Sequence, residues 1–348
     1  MKIFFFIGSM RRGGAERVIS ILANHYAEKN WNVEIILLLE NTIEYKLNSK
    51  IKIINISANG SYIKNIPYWF KNIRKYINES KPDRIVSFVG RINMLVLTST
   101  VGLNIPTIIS ERNDPKHDGR GKLMEIYANL CYKLASSIVF QTEYEKLCFS
   151  KRLYNRSYII PNPVNVEVKR NENENIEVVT AGRLMPQKNQ DMLIDAFNKI
   201  SDKYPNAILD IYGDGSLKEH LQDKINSCGM QDTIKLCGNV TNIHEKISGA
   251  TMFVLSSNFE GLSNALIEAM MIGLPCITTN YPGANEIVRD GYNGLVVPMN
   301  DVDALSNAME EIIVNKELSN KLSINAIKSS EIYKKEVVIE QWEKIIEK

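Results

Sequence analysis

The sequence predicts an α/β chain of two doubly wound, Rossmann-like domains facing a cleft, with a terminal helix that packs back on the first domain. Three observations predict it. Short apolar runs alternate with amphipathic stretches along the 348 residues, which is the rhythm of a parallel sheet covered by helices on both faces. The rhythm breaks once, at residues 159–177, and then restarts. The length is too great for one core and comfortable for two domains of roughly 150–180 residues each.

In the first half, KIFFFIG (2–8), VEIILLL (33–39), IKIINI (51–56), RIVSFVG (84–90), TIIS (107–110) and SIVF (137–140) read as buried strands. AERVISILANHYAEKN (15–30) between the first two has helical periodicity. IIPNPVN (159–165) and the Pro-bounded, charged tract EVKRNENENIE (167–177) read as the linker. Beyond it, EVVTAG (177–182), AILDIYG (207–213), TIKLCG (233–238), MFVLSS (252–257), PCITT (275–279) and GLVVP (294–298) are strands. Helical patterns at 189–200, 216–227, 264–272, 283–289 and 301–314 separate them. The expected domains are therefore 1–165, joined by a terminal helix at about 331–348, and 166–330.

Charge is distributed unevenly. Residues 1–165 carry 24 Lys and Arg against 13 Asp and Glu, a net of +11, whereas residues 166–348 carry 18 against 27, a net of −9. A basic half suits an anionic partner, although the two halves attracting each other is the simpler reading. Five scattered cysteines, with no C-x-x-C pair, read as reduced thiols. Lys2 before IFFFIG mimics a signal peptide, but Arg11 and Arg12 follow at once without a small-residue cleavage site. A cytoplasmic protein is expected, and no 18-residue apolar run is present to span a membrane.

The chemistry is expected at the carboxyl ends of the strands, where ligands of doubly wound sheets bind. AGRLMPQKNQD (181–191) ends a strand in Gly182 and then delivers Arg183 and Lys188. A fork-shaped and a point-like cation placed there suit a diphosphate. Gly213 and Asp214 in YGDGSL (212–217) and Val240 in GNVTNI (238–243) mark turns where backbone approaches a ligand. In FEGLSNALIEAMMIGLP (259–275), Glu260 precedes a helix that Ser263 or Asn264 caps. The amides after Gly261, at Leu262 and Ser263, offer an anion site. Glu268 lies inside an apolar helix, where a carboxylate needs a partner. Vicinal hydroxyls of a ribose would supply one, and so would a structural salt bridge.

The order strand–GR–x4–K, then GDG, then E-x7-E, then GLP resembles the C-terminal domain of glycosyltransferase family 4, whose members are retaining enzymes of the GT-B fold. GSMRRGGAERV (8–18) is similar to that family's glycine-rich first turn, and IPNPVN (160–165) to its interdomain crossing. The resemblance spans the chain and implies transfer of a hexose or N-acetylhexosamine from a UDP-sugar to a hydroxyl, with retention. It gives Arg183 and Lys188 to the diphosphate, Glu260 to the transferred sugar and Glu268 to the ribose, with Gly13 and Gly14 in a loop over the phosphate and sugar. Arg183, Lys188 and Glu260 become the catalytic residues, and no metal or other cofactor is implied. The one D-x-D, Asp301–Asp303, sits at a helix start and reads as a cap.

The sequence departs from the family at SERNDPKHDGRGK (110–122), where Arg112 stands in place of a common His. This S-E-R-N-D resembles a subgroup that extends bacterial surface glycans. It implies a polyprenyl-diphosphate-linked acceptor, with Arg11, Arg12, Glu111, Arg112 and Asn113 as acceptor-binding residues. Aromatic and basic residues mixed in IPYWFKNIRKYINESK (66–81) are expected to rest on an anionic membrane surface, on the inner face of the cell membrane. The alternative is a non-catalytic sugar-nucleotide binding subunit of a glycosyltransferase complex, against which the intact Arg183, Lys188, Glu260 and Glu268 argue. A two-domain solute receptor is disfavoured by the interior cations. No G-x-G-x-x-G follows a strand and no nucleic-acid module is present, so neither an oxidoreductase nor a nucleic-acid binder is expected.

Overall fold

The computed structural model describes residues 1–11, 13–58, 60–171 and 175–348. The chain forms two compact units, Met1–Pro163 with Lys335–Lys348, and Val164–Lys334.

The first unit runs β1 (Lys2–Ile7), α1 (Gly14–Glu28), β2 (Asn32–Leu37), β3 (Lys52–Asn55), α2 (Tyr62–Ser80), β4 (Arg84–Phe88), α3 (Gly90–Thr100), β5 (Thr107–Ser110), α4 (Lys122–Cys131), β6 (Ser137–Phe140), α5 (Glu143–Leu147) and β7 (Ser157–Ile159). The seven strands are parallel in the order β3-β2-β1-β4-β5-β6-β7. Because side chains alternate along a strand, Ile3, Phe5 and Ile7 face one way and Phe4 and Phe6 the other, and all are buried. The first set packs with Val18, Leu22 and Tyr26 of α1. The second packs with Trp69, Ile73 and Ile77 of α2 and with Ile92 and Leu95 of α3. On that second side Ala128, Cys131 and Tyr132 of the α4 segment cover Ile109, Ile138 and Phe140.

The second unit runs β8 (Glu177–Ala181), α6 (Gln190–Ser201), β9 (Ile208–Tyr212), α7 (Lys218–Ser227), β10 (Ile234–Gly238), α8 (Ile243–Ile247), β11 (Met252–Leu255), α9 (Asn264–Ile272), β12 (Cys276–Thr279), β13 (Leu295–Val297), α10 (Val302–Val314) and α11 (Lys316–Ser330). Its six strands, also parallel, order as β10-β9-β8-β11-β12-β13. Strand order therefore reverses between β8 and β11, the switch point at which open α/β sheets bind ligands. The last helix, α12 (Lys335–Ile346), belongs to the first unit, where Val338, Trp342 and Ile346 join the core over β1 and α1. The fold class read from the sequence holds for each unit.

Four local expectations are corrected. β7 is an additional edge strand, α11 an additional helix, and 283–289 forms only a 3-10 turn at Ala284–Glu286. The described start of the 167–177 tract is not a free linker. The Arg170 N–H donates to Ile272 O at 3.0 Å and the Asn171 N–H to Ser248 O at 2.9 Å, fastening it to the second unit.

Candidate active site

Two loops meet at the carboxyl ends of β8 and β11. Ser256 Oγ donates to Lys188 O at 2.9 Å and the Asn258 N–H to Gln187 O at 2.8 Å. Gln187 Nε2 donates in return to Phe259 O at 2.9 Å. This lacing brings Lys188 and Glu260 together, and Lys188 Nζ lies 2.6 Å from Glu260 Oε1. Ser257 Oγ donates to the same oxygen at 2.6 Å, and Gln187 Nε2 reaches Oε2 at 3.3 Å. Glu260 is only 6% exposed. Its charge is compensated inside the protein, which a carboxylate so far from water requires. The Lys188 ammonium keeps two further donors.

Arg183 differs. It is exposed, and its guanidinium makes no hydrogen bond or ion pair among the described residues; only its carbonyl is engaged, by Gln190 Nε2 at 3.0 Å. The cation next to β8 that is available to an anion is thus Arg183. The glycine turn beside it has a packing reason. Gly213 has φ 133°, and a Cβ there would stand 1.9 Å from Gly182 O. Asp214 uses its side chain on the neighbouring Gly215 N–H, at 2.8 Å. Val240 is half-buried against the core under β11 and α9.

Ser263 occupies the N-cap of α9, yet its hydroxyl does not cap the helix. It is buried and makes no hydrogen bond among the described residues. Gly261 and Leu262 are half-buried ahead of it. One turn into α9, Glu268 is buried, with His244 Nε2 of α8 at 3.2 Å from its Oε2. This is an ion-pair distance when the imidazole is protonated. The D-x-D is a helix start: Asp301 Oδ1 accepts from the Ala304 N–H at 2.9 Å, and Asp303 pairs with Lys199.

In the first unit, Gly13 precedes Gly14 at the start of α1, and the Tyr45 hydroxyl donates to Gly13 O at 2.8 Å. Arg11 is exposed and pairs with Glu40 at 2.7 Å; Arg12 lies outside the described residues. Glu111 is fully buried against Arg120 at 3.1 Å and the Tyr132 hydroxyl. Burial raises its carboxyl above the ordinary range, and the Arg120 charge opposes that shift. Arg112 is buried beside two rings that stack on each other, its guanidinium carbon 5.4 Å from the centroid of Phe88 and 5.6 Å from that of Trp342, and donates to Asn162 Oδ1 at 2.7 Å. Asn113 is exposed. Val89, at the end of β4, holds φ 74°, a left-handed conformation that a β-branched residue avoids.

Residues 163–329, which hold Arg183, Lys188, Glu260 and Glu268, match the family model described as glycosyl transferases group 1. The chain carries a glycosyl transferases group 1 domain. Over nearly its full length it is also 28% identical to a Campylobacter jejuni enzyme, covering 99% of this chain and 98% of the relative. That enzyme is named GalNAc-alpha-(1->4)-GalNAc-alpha-(1->3)-diNAcBac-PP-undecaprenol alpha-1,4-N-acetyl-D-galactosaminyltransferase. The amylovoran biosynthesis glycosyltransferase AmsD of Erwinia amylovora is 23% identical, with 97% of each chain covered. Among solved structures, Anabaena Alr3699/HepE in complex with UDP superposes with a TM-score of 0.87 over 100% of both chains, at 18% identity. That likeness shows the fold, which is the GT-B fold of glycosyltransferases.

Two residues of the glycosyltransferase domain escaped the sequence reading. His244 is one; nothing in GNVTNIHEK shows that it reaches a helix two elements later. The other is Tyr281, buried, its hydroxyl without a hydrogen bond among the described residues. Burial, and then the negative charge of Glu260, push its phenol well above the ordinary value, so it stays a protonated donor.

Proposed function

We propose that this glycosyltransferase transfers a hexose or N-acetylhexosamine from a UDP-sugar, with retention, to a hydroxyl of a polyprenyl-diphosphate-linked glycan in bacterial surface polysaccharide or glycan biosynthesis. The observation that carries the reading is the pairing of an available Arg183 with the Lys188–Glu260 ion pair beside the β8–β11 switch point. Support for the acceptor comes from the Campylobacter jejuni relative, whose name specifies an undecaprenol diphosphate acceptor.

Negative charge builds on the β-phosphate as the anomeric C–O bond breaks. Arg183 and the two spare Lys188 donors neutralise it in place, without reorganising solvent. The acceptor oxygen bonds to the anomeric carbon on the face from which the phosphate departs, and the leaving phosphate oxygen takes its proton, which retains configuration. Glu260 keeps Lys188 in position, and its Oε2, to which Gln187 Nε2 donates at 3.3 Å, accepts from hydroxyls of the transferred sugar. Glu268 accepts from the ribose hydroxyls, while Leu262 and Ser263 turn amides toward the phosphates. Charge compensation rests on these side chains, so no metal is required.

The acceptor is assigned to the first unit, with Arg11, Arg12 and Asn113 as its polar contacts; Glu111 and Arg112, expected among them, are buried and are assigned to holding the loop that carries Asn113. No helix among the described residues is long and apolar enough to cross a membrane. The basic first unit is proposed to hold the protein on the inner face of the cell membrane.

The purified chain, given a panel of UDP-sugars and a polyprenyl-diphosphate-linked glycan, should form an α-linked product from an α-donor and keep its activity in EDTA. An inverted product, or loss on chelation restored by manganese, contradicts the mechanism. Nucleotide binding without transfer or donor hydrolysis contradicts the enzyme.

A further inference from the structure

The α4 segment is apolar on two sides. Ala128, Cys131 and Tyr132 face the core. Leu123, Ile126, Tyr127 and Leu130, followed by Leu134, face water, and Leu123 is 83% exposed. Their spacing of i, i+3, i+4, i+7 and i+11 makes one continuous stripe, where a helix facing water carries polar side chains. α2 covers the same face of the sheet on the other side of α3 and adds exposed Ile63, Ile66 and Phe70 at i, i+3 and i+7. α2 and α4 both pack against α3, so the two stripes belong to one helical layer. Exposed Lys64 and Lys71 neighbour Ile63 and Phe70 in sequence, Lys122 and Lys133 neighbour Leu123 and Leu134, and Lys75 is exposed further along α2, against Glu79 and Glu125 as the acidic side chains of α2 and α4.

We infer that this face of the α2–α3–α4 layer inserts into an anionic lipid bilayer, with the α4 stripe entering the acyl boundary and the lysines resting on the headgroups. An apolar stripe alone would fit a protein partner equally well. The lysine rim decides between them, because protein interfaces are depleted in Lys, whereas amphipathic bilayer segments combine Leu and aromatic residues with basic ones. The inference rests on the proposed membrane-side role and names the surface that performs it. α2, the helix singled out from the sequence, contributes less apolar surface than expected because Trp69 is turned into the core.

The test is sedimentation of the full chain with vesicles of phosphatidylglycerol and phosphatidylethanolamine, and with vesicles of phosphatidylcholine. Wild type should pellet with the first and not the second. Leu123→Ser/Ile126→Ser/Leu130→Ser should reduce partitioning roughly tenfold or more with an unchanged melting curve. In Leu130→Trp, brominated acyl chains should quench the new indole. Equal pelleting of the triple variant, equal binding to phosphatidylcholine, or no quenching overturns the inference. So does a wild-type dimer that the triple variant dissociates. UDP calorimetry on the same proteins separates the two readings: all should bind UDP alike, and absence of UDP binding counts against the enzyme, not against the docking face.

Discussion

Lys188 and Glu260, 72 residues apart in sequence, meet at 2.6 Å in a place where both are largely shut off from water. The lysine expected to be free for phosphate is therefore already held, and the carboxylate expected to wait for a sugar is what holds it. Removing the cation leaves a buried carboxylate uncompensated. Lys188→Ala should lower unfolding stability by about 3 kcal/mol and abolish donor turnover. Lys188→Ala/Glu260→Ala should recover part of the stability and none of the turnover, read by urea denaturation and donor hydrolysis. Turnover that returns with stability would make the pair purely structural.

Gly213→Ala should cost more than about 1 kcal/mol. Its positive φ and the 1.9 Å approach of the new Cβ to Gly182 O leave no relaxed position. Asp214→Ala, at an exposed side chain, should stay within about 0.5 kcal/mol. Thermal melts of the two variants decide whether this turn is needed for packing.

Much of the fold was legible because parallel strands are buried on both faces, so β1 and β11 read as nearly unbroken apolar runs and β2 and β4 as runs interrupted inside only by Glu34 and Ser87. β7 was not, since Ser157–Ile159 is a short edge strand with two of its three residues exposed. α11 carries Ser and Asn among sparse apolar positions, and Leu322 and Ala326 alone do not announce a helix. At the site, charge types at strand ends were legible, whereas partners were not. Nothing local says that Lys188 finds Glu260, that Arg112 is buried beside Phe88 and Trp342, or that His244 faces Glu268.

Trp342→Ala should destabilise the first unit by about 3–5 kcal/mol. The ring is fully buried, its centroid 5.7 Å from that of Phe88, and α12 loses its largest anchor with it. Hydrogen exchange confined to α12 and the strands beneath it would localise the effect; a uniform change would contradict it.

Hydrogen bonds from Lys29 and then His25 hold the Glu343 carboxyl below its ordinary 4.5. A depressed folded-state value means that the contribution is present above 4.5 and is lost as pH falls through the lowered value. The side chain is 28% exposed at the surface, so solvent screening should keep the effect under about 1 kcal/mol. Glu343→Gln should flatten the acid limb of the stability curve and leave lower-pH stability unchanged.

The most direct measurement is calorimetric titration of UDP and uridine into wild type, Arg183→Ala and Glu268→Ala. Loss of the guanidinium should weaken UDP by roughly tenfold or more while uridine binds as before, because the cation meets only the diphosphate. Loss of the carboxylate should weaken both, through the ribose. UDP affinity unchanged in either variant, or uridine falling in step with UDP in Arg183→Ala, would contradict the placement of the donor between these side chains.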